Sequence, residues 1–374
     1  MTEKAWKPLE LVKVSADYLA SKEVRQARLD AELLLCDIMG LERRVDLYAG
    51  FEREISGKEL TQYRELIKRR AAREPVSRIL GRREFMGLAF AVTPEVLSPR
   101  PETELLVEAA VEVVRPKKAA FPADETAGAE PAADAPEEAD GESPEMAAHL
   151  AMLLDSYAED SDDPDGENEI ALSPGVPVRG AVRRAPPPEP KRSAAKAETA
   201  PRDRVRILDL GTGSGCIAVS LAALLPEAVV LAVDASPGAL AVARGNAKNA
   251  GVAERIAFRR GDWFAGCRDG EKFDVIVSNP PYLVKEDPEI WPEVALYDPP
   301  MSLYGGSDGL DCYRRIIPDL GNWLAEGGTV LLEVGDGQAG RVAEMLANAG
   351  FSEVSKIRDY GGVERVVKAG GMCE

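Results

Sequence analysis

Residues 205–225 read VRILDLGTGSGCIAVSLAALL. A six-residue apolar run ends in a turn with glycine at every second position, and an unbroken apolar helix pattern follows. That order of strand, tight turn and helix is the first half of a βαβ unit, and such units build parallel sheets. Outward from it the alternation continues. AVVLAVD (228–234) precedes SPGALAVARGNAKNAG, and RIAFRRGD and KFDVIVSN follow; next come a helix through YRRIIPDLGNWLA, the run TVLLEVG, a helix QAGRVAEMLANAG, and two last runs, SEVSKIRDY and ERVVKA. The expected fold is α/β, a doubly wound, mostly parallel sheet with helices on both faces. Ser236 before Pro237 gives an N-cap with proline at the first helical position, and Gly251 and Gly350 stand where helices end.

Upstream the pattern differs. Residues 1–75 carry apolar periodicity of helical type in AWKPLELVKVSADYLA, DAELLLCDIMG and GKELTQYRELIKRRAAR, with Gly40 and Gly50 as stop signals, and predict a small helical domain. Residues 76–115 contain short β-favouring runs broken by Gly81 and Gly87, which suggest a linking hairpin, followed by the helix-opening segment PRPETE (99–104 with Pro99). Residues 116–203 form an Ala-, Pro- and acid-rich insert expected to be disordered, with one helical island, MAAHLAMLLDSYA, at 146–158. The sheet domain is expected over 204–374.

The net charge of −18 is a property of the insert: residues 121–170 hold 17 Asp and Glu and no Lys or Arg, leaving the rest near −1. A nearly neutral body offers no extended basic footprint, so direct nucleic-acid binding is not expected. Five scattered cysteines without paired spacing indicate neither a disulfide framework nor a zinc site, and no metal is expected. With no apolar run of spanning length and no apolar leader, no membrane association is expected and a cytoplasmic monomer is.

In doubly wound sheets ligands bind beyond the carboxyl ends of the strands. The sequence places Asp209, the loop Gly211-Thr212-Gly213-Ser214-Gly215, Asp234, Asp262 and Asn279 there. The glycines allow a tight turn and close backbone approach to a ligand, and Asp234 suits ribose hydroxyls. The dinucleotide fingerprint fails, because the third glycine comes one residue early, so a nicotinamide oxidoreductase is the weakest reading. Residues 278–283, SNPPYL, end the strand KFDVIVS in a segment poor in backbone donors. Asn279 Oδ1 and the Pro280 carbonyl can each accept an N–H from a planar NH2 group, localising the nitrogen lone pair. Pro280 and Pro281 remove competing donors, and the Tyr282 ring offers a stacking face. Such a site works by positioning and electrostatic preorganisation and needs no nucleophilic side chain.

Residues 205–282, with LDLGTGSG, VDASPGALAVARGNA and FDVIVSNPPY, resemble class I S-adenosylmethionine-dependent methyltransferases that act on amide or amine nitrogen, and so a seven-stranded Rossmann-like sheet. The block SPRPETELL (98–106), the preceding REPVSRILGRREFMGLAFAVTPEVL, RLDAELLL in the helical region, and GGSDGLDCYRRII and VERVVKA downstream narrow the likeness to the release factor glutamine methyltransferases. The resemblance implies methyl transfer from S-adenosyl-L-methionine to the side-chain N5 of the glutamine in the Gly-Gly-Gln motif of peptide-chain release factors, which modulates translation termination. It implies that Gly211 to Gly215 cradle the methionine part of the cofactor, Asp234 holds the ribose, Asp262 and Trp263 line the adenine pocket, and Asn279 to Tyr282 hold the glutamine, with Asn279 also beside the cofactor. PRPETE would cover the cofactor pocket with Glu102 and Thr103 near it; from the residues alone it is equally a good first helical turn. The helical domain would grip the release factor. Two departures stand out: the insert of nearly ninety residues, and Asp298-Pro299-Pro300-Met301-Ser302-Leu303 where relatives tend to carry Glu-Pro-Arg and Ala-Leu. Two other readings share the motif chemistry or the fold: a nucleic-acid amino-group methyltransferase acting on adenine N6 or guanine N2, and a noncatalytic binding module.

Overall fold

The computed structural model describes residues 6–115, 204–285 and 291–372. The expected insert at 116–203 and its island at 146–158 lie outside the described residues. Seven strands form one sheet in the order β5-β4-β3-β6-β7-β9-β8: β3 (Val205–Leu210), β4 (Ala228–Asp234), β5 (Ile256–Arg260), β6 (Phe273–Ser278), β7 (Leu324–Glu333), β8 (Phe351–Arg358) and β9 (Glu364–Met372). Pairings from β5 through β7 are parallel, while β9 runs antiparallel to both β7 and β8. This is the Rossmann-like, mostly parallel sheet expected from the sequence.

Successive strand residues serve opposite faces. Ile207, Val275 and Val277 pack with the helix Cys216–Leu224 and with Leu106 and Val107 on one side; Leu208, Leu210 and Ile276 pack with Tyr313, Val342 and Leu346 on the other. Two buried faces explain why the strands read as near-continuous apolar runs. The helix Pro237–Asn249 starts as expected, with Ser236 Oγ accepting from the Ala239 N–H at 3.1 Å and Pro237 in its first turn.

The helices Pro8–Ser21, Ala27–Met39, Arg44–Ala49 and Gly57–Ala71 share a separate core that includes Leu11, Leu34, Leu35, Leu47, Tyr63 and Ile67. Ser56 and Glu59 close a reciprocal capping box at the start of Gly57–Ala71. A two-stranded hairpin, β1 (Arg82–Phe85) and β2 (Leu88–Ala91), follows. Its two-residue turn holds Met86 at φ 50° and Gly87 at φ 70°, the doubly positive backbone that suits the strand twist.

Two local expectations are corrected. The run beginning at Val76 is a helical turn, Val76–Ile79, before it becomes a hairpin: Pro75 stands at its N-cap and Gly81 (φ 66°) terminates it. The helix expected through residues 313–325 breaks up into Asp311–Ile316, a 3-10 turn Ile317–Asp319 and a short turn Leu320–Trp323, and β7 already begins at Leu324. Pro318 has no N–H to continue the ladder, and Leu324 instead pairs with Phe273 of β6.

Buried charge clusters join the helical region to the sheet. Arg70 Nε donates to Asp30 Oδ2 at 2.7 Å while its Nη2 reaches Glu293 at 3.3 Å. Asp298, 5% exposed, accepts from Arg78 at 2.9 Å and Arg100 at 2.6 Å. The Asp298 carboxylate fastens both the helical turn of Arg78 and the PRPETE segment to the sheet domain.

Candidate active site

The glycine loop is strapped down before it can meet a ligand. The Gly211 and Thr212 N–H groups both donate to the Val233 carbonyl, at 2.9 and 3.0 Å, and the Gly215 N–H donates to Thr212 O at 2.8 Å. Gly211, Gly213 and Gly215 all have positive φ, at 74°, 55° and 79°, which an L side chain rarely adopts. A Cβ on Gly215 would lie 2.9 Å from Ala243 Cβ, so this glycine also sets how closely two helices approach. Thr212 and Ser214 are buried. The Thr212 hydroxyl donates to Asp209 Oδ2 at 2.6 Å, and the Ser214 carbonyl accepts from Asn246 Nδ2 at 2.9 Å.

Asp234, ending β4, accepts from the Gly213 N–H on one oxygen and the Ser236 N–H on the other, each at 2.8 Å. Each oxygen keeps a lone pair for a further donor. Trp263 sits at φ 52°, its ring 3.5 Å from where a Gly211 Cβ would stand, and its buried indole Nε1 has no hydrogen-bond partner among the described residues. Asp262 is exposed and ion-paired with Arg315, whose guanidinium lies 5.9 Å over the Trp263 ring. The structure therefore brings the loop, Asp234 and Trp263 together, and turns the Asp262 carboxylate toward Arg315.

Asn279 and Pro280 follow directly on β6. Asn279 Nδ2 donates to Thr103 Oγ1 at 3.1 Å. Among the described residues no donor reaches Asn279 Oδ1 or the Pro280 carbonyl. The rest of the segment is held from behind: Gln338 Nε2 donates to the Tyr282 carbonyl at 2.9 Å, and the Leu283 N–H donates to Leu303 O at 2.9 Å. A Cβ on Gly305 would come within 2.6 Å of the Pro281 carbonyl, so the GGSDG turn packs flush against this backbone. Asn279, Pro280 and Tyr282 line a cavity of about 580 Å³ that also includes Arg100, Glu102 and Arg365. Its charged lining comprises Arg100, Arg341 and Arg365 against Glu102, Asp308 and Asp336. Each of the three arginines is paired, with Asp298, Asp308 and Asp359 respectively. The glycine loop, Asp234 and Trp263 do not line this cavity, and Asn279 stands between the two regions.

Two buried carboxylates flank the strand that carries Asn279. Burial pushes Asp209 up to about 7, with the charge of Asp234 adding to the rise while the Thr212 hydroxyl and the Ala218 N–H oppose it. Burial likewise pushes Glu333, ending β7, up to about 7 against the pull of the Thr103 hydroxyl; Glu102 raises it further, and Arg365 and the Tyr282 hydroxyl lower it. One oxygen of each carboxylate, Asp209 Oδ1 and Glu333 Oε2, is buried without a hydrogen bond from any of the described residues. Burial raises the Tyr282 phenol well above its ordinary value, and Glu333 nearby adds to the effect.

A loop that only glycine can trace, a carboxylate with spare acceptors, an unpartnered indole N–H and two under-compensated buried carboxylates fit a ligand with a diol, an aromatic base and a positive charge. S-adenosylmethionine has all three. Sequence reading missed Glu333 and Asn246. Glu333 was signalled only as a further acid at a strand end, after Asp209, Asp234 and Asp262. Asn246, 1% exposed, accepts from the Ala91 N–H at 2.8 Å and donates to the Ala91 and Ser214 carbonyls, which ties the hairpin to the glycine loop.

Comparison with known proteins narrows the chemistry that this site can host. The family described as PrmC N-terminal domain matches residues 10–81, and the methyltransferase small domain matches residues 194–295. A release factor glutamine methyltransferase from Geobacter sulfurreducens is 36% identical over 370 residues, covering 98% of each chain. One from Cereibacter sphaeroides is 32% identical, covering 96% of this chain and 97% of its own. Among solved structures, a ribosomal protein L11 methylase from Lactobacillus delbrueckii subsp. bulgaricus aligns with a TM-score of 0.34 at 23% identity, over 46% of this chain and 73% of that one, too distant a likeness to bear on mechanism. The two curated relatives align from end to end, across the helical region, the hairpin and the sheet alike, and on that extent of identity this chain belongs to the release factor glutamine methyltransferase family.

Proposed function

We infer that the chain transfers a methyl group from S-adenosylmethionine to the side-chain N5 of the glutamine in the Gly-Gly-Gln motif of peptide-chain release factors. The observation that carries this reading is the pair of open acceptors, Asn279 Oδ1 and the Pro280 carbonyl, on a rigidly backed segment beside a charge-balanced cavity. The near full-length identity to release factor glutamine methyltransferases supports the choice of acceptor.

Two acceptors match the two N–H bonds of a primary amide. Taking both loosens the amide resonance and localises the lone pair on nitrogen, which can then bond to carbon. S-adenosylmethionine supplies that carbon as the methyl of a sulfonium, a leaving group that departs with its electron pair. The alkylated nitrogen sheds one proton to water and the product is a neutral secondary amide. Gly211 to Gly215 and Asp234 hold the cofactor in this reading, with Trp263 against its base and Asp262 at the rim. Pro281 keeps the segment free of competing donors, and Tyr282 bounds the amide pocket. Residues 1–75 are assigned to gripping the release factor, residues 76–115 to linking that domain to the methyltransferase domain at 204–374, and 116–203 to an insert outside the chemistry. A nucleic-acid amine as acceptor is not favoured, because the cavity offers as many carboxylates as arginines and every arginine is already paired.

Asn279→Ala tests the reading. It should lower kcat by about 10²- to 10³-fold, as loss of one preorganised polar group does in other active sites. Calorimetry with S-adenosylmethionine should still show the cofactor bound, so that at saturating cofactor the loss is one of rate. An unchanged rate of release-factor methylation would sink the proposed geometry.

A further inference from the structure

A second cavity, of about 440 Å³, opens where the helical region, the hairpin and the sheet domain meet. It shares Arg100, Trp291 and Val294 with the cavity that Asn279 lines, so the two adjoin. Its charges do not balance. Four carboxylates line it and each is engaged: Asp30 by Arg70 and Glu23 by Arg73, Glu293 by both of these arginines, and Asp298 by Arg78 and Arg100. Two further arginines in the wall, Arg25 and Arg83, pair with no carboxylate among the described residues. Arg25 lies in the turn between the helices Pro8–Ser21 and Ala27–Met39, with its guanidinium over the Trp291 ring at 4.2 Å. Arg83 stands half-buried on β1, on the same face as the buried Phe85. Burial pulls its guanidinium below the ordinary value and the nearby charge of Arg100 adds to this; Glu102, Glu104 and Asp298 oppose it, yet none forms an ion pair with it. A cation withdrawn from water beside another cation is costly until an acceptor meets it, and the planar guanidinium fork matches a carboxylate.

We propose that Arg83, with Arg25 at the mouth, binds the side-chain carboxylate of an aspartate or glutamate on the release factor, which makes this cavity a recognition subsite for the protein substrate. The inference rests on the reading that Asn279 to Tyr282 hold the factor's glutamine. Two features choose the occupant. The cavity adjoins the amide pocket, so a protein whose glutamine lies at Asn279 has neighbouring side chains within reach of Arg83. Its wall also carries four carboxylates, which oppose a run of phosphates, whereas a single carboxylate meets two unpaired guanidinium groups. A nucleic acid is therefore the disfavoured occupant.

Arg83→Glu is the sharpest test, because removing Arg83 breaks no ion pair among the described residues and the reversal sets like charges together. KM for release factor should rise at least about tenfold, the worth of one hydrogen bond to a charged group. The kcat and the calorimetric Kd for S-adenosylmethionine should stay within about twofold, the split that marks loss of binding shared by ground and transition states. Arg83→Gln should also raise KM and make it less sensitive to salt. Acidic residues of the release factor changed one at a time to lysine should include one that restores KM in Arg83→Glu. An unchanged KM in Arg83→Glu, a loss expressed in kcat, or recovery by none of the lysine variants would each overturn the proposal. So would recovery on neutralising this chain's own Glu286, Asp287 and Glu289, which precede Trp291 in sequence, since the anion would then be internal. Weakened binding of a single-stranded RNA oligonucleotide by Arg83→Glu, with KM for release factor unchanged, would assign the cavity to phosphate and overturn it too. If Arg83→Glu does not fold, Arg83→Gln and Arg25→Glu, the latter at an exposed position, decide by the same KM criterion. A wild-type protein that leaves the release factor unmethylated removes the underlying reading and this proposal together; normal methylation with a wild-type KM in Arg83→Glu removes only this one.

Discussion

At the scale of single residues, buried polar side chains fasten separate elements of this protein to one another. Asp298 is the clearest structural case, a carboxylate between the buried Arg78 and the half-buried Arg100. Replacing it with alanine leaves two guanidinium groups facing each other without an anion. Asp298→Ala is therefore expected to lower the unfolding free energy by about 3–5 kcal/mol, the usual cost of breaking a buried pair from one side. Urea denaturation followed by far-UV circular dichroism measures it; a loss below about 1 kcal/mol would mean that the two arginines find other partners. Asn246 is the second case. Its side chain holds the Ala91 N–H and two carbonyls, and Asn246→Ala should weaken cofactor binding as well as stability, because it frees the glycine loop from the hairpin. Calorimetric titration with S-adenosylmethionine checks this, and an unchanged Kd would show that the loop holds its shape without the hairpin.

At the scale of elements, legibility followed the range of the interactions. Strands β3, β4, β6 and β7 were readable because each is buried on both faces and so written as an apolar run, and the helix Pro237–Asn249 was readable because its cap is local, Ser236 to Ala239. The break at Pro318 was visible as a residue but not as an outcome, since the following residues were free to continue as helix until Leu324 met Phe273 in the sheet. The glycine loop, Asp234 and the Asn279–Tyr282 segment were legible as motifs, each continuous in sequence. Glu333 was not, because its burial and its contact with the Tyr282 hydroxyl come from other elements, and a lone acid after TVLL looks like any polar strand end. Asn246 and Ala91, 155 residues apart in sequence, meet only through the fold. The tight seating of the GGSDG turn yields a prediction at this scale. Gly305→Ala would push a Cβ to within 2.6 Å of two backbone carbonyls, those of Pro281 and Gly309, and should displace the Asn279–Tyr282 segment. Activity is expected to drop at least tenfold, the kind of loss that a shift of about 1 Å in a positioned group brings. Wild-type kcat would show that the turn moves instead of the segment.

At the scale of the whole molecule, function is held at some expense of stability. Asp209 and Glu333 both have folded-state values near 7, well above those of exposed carboxylates. Between about pH 4.5 and 7 the native state thus holds protons that the unfolded chain has released, and by linkage the contribution of these groups to stability falls as pH rises through that window and levels off above it. Glu333→Gln removes one of the two groups. The melting temperature of that variant relative to wild type should rise from pH 5 to pH 7 and then stay constant. A difference independent of pH would mean that Glu333 titrates normally. No helix among the described residues is long and apolar enough to cross a membrane, and the sheet, the hairpin and the helical region are joined by the pairs Arg70–Glu293 and Arg78–Asp298 and by the hydrogen bonds of Asn246.

The central claim is that the segment Asn279 to Tyr282 presents a glutamine side chain for methylation. The most direct measurement is peptide-mapping mass spectrometry of a release factor carrying Gly-Gly-Gln, incubated with the protein and S-adenosylmethionine, beside a version with the glutamine changed to alanine. The account predicts a gain of one methyl group, about 14 Da, confined to the Gly-Gly-Gln peptide and absent from the alanine version. A methyl group on any other residue, or none on either factor while calorimetry shows the cofactor bound, would contradict it.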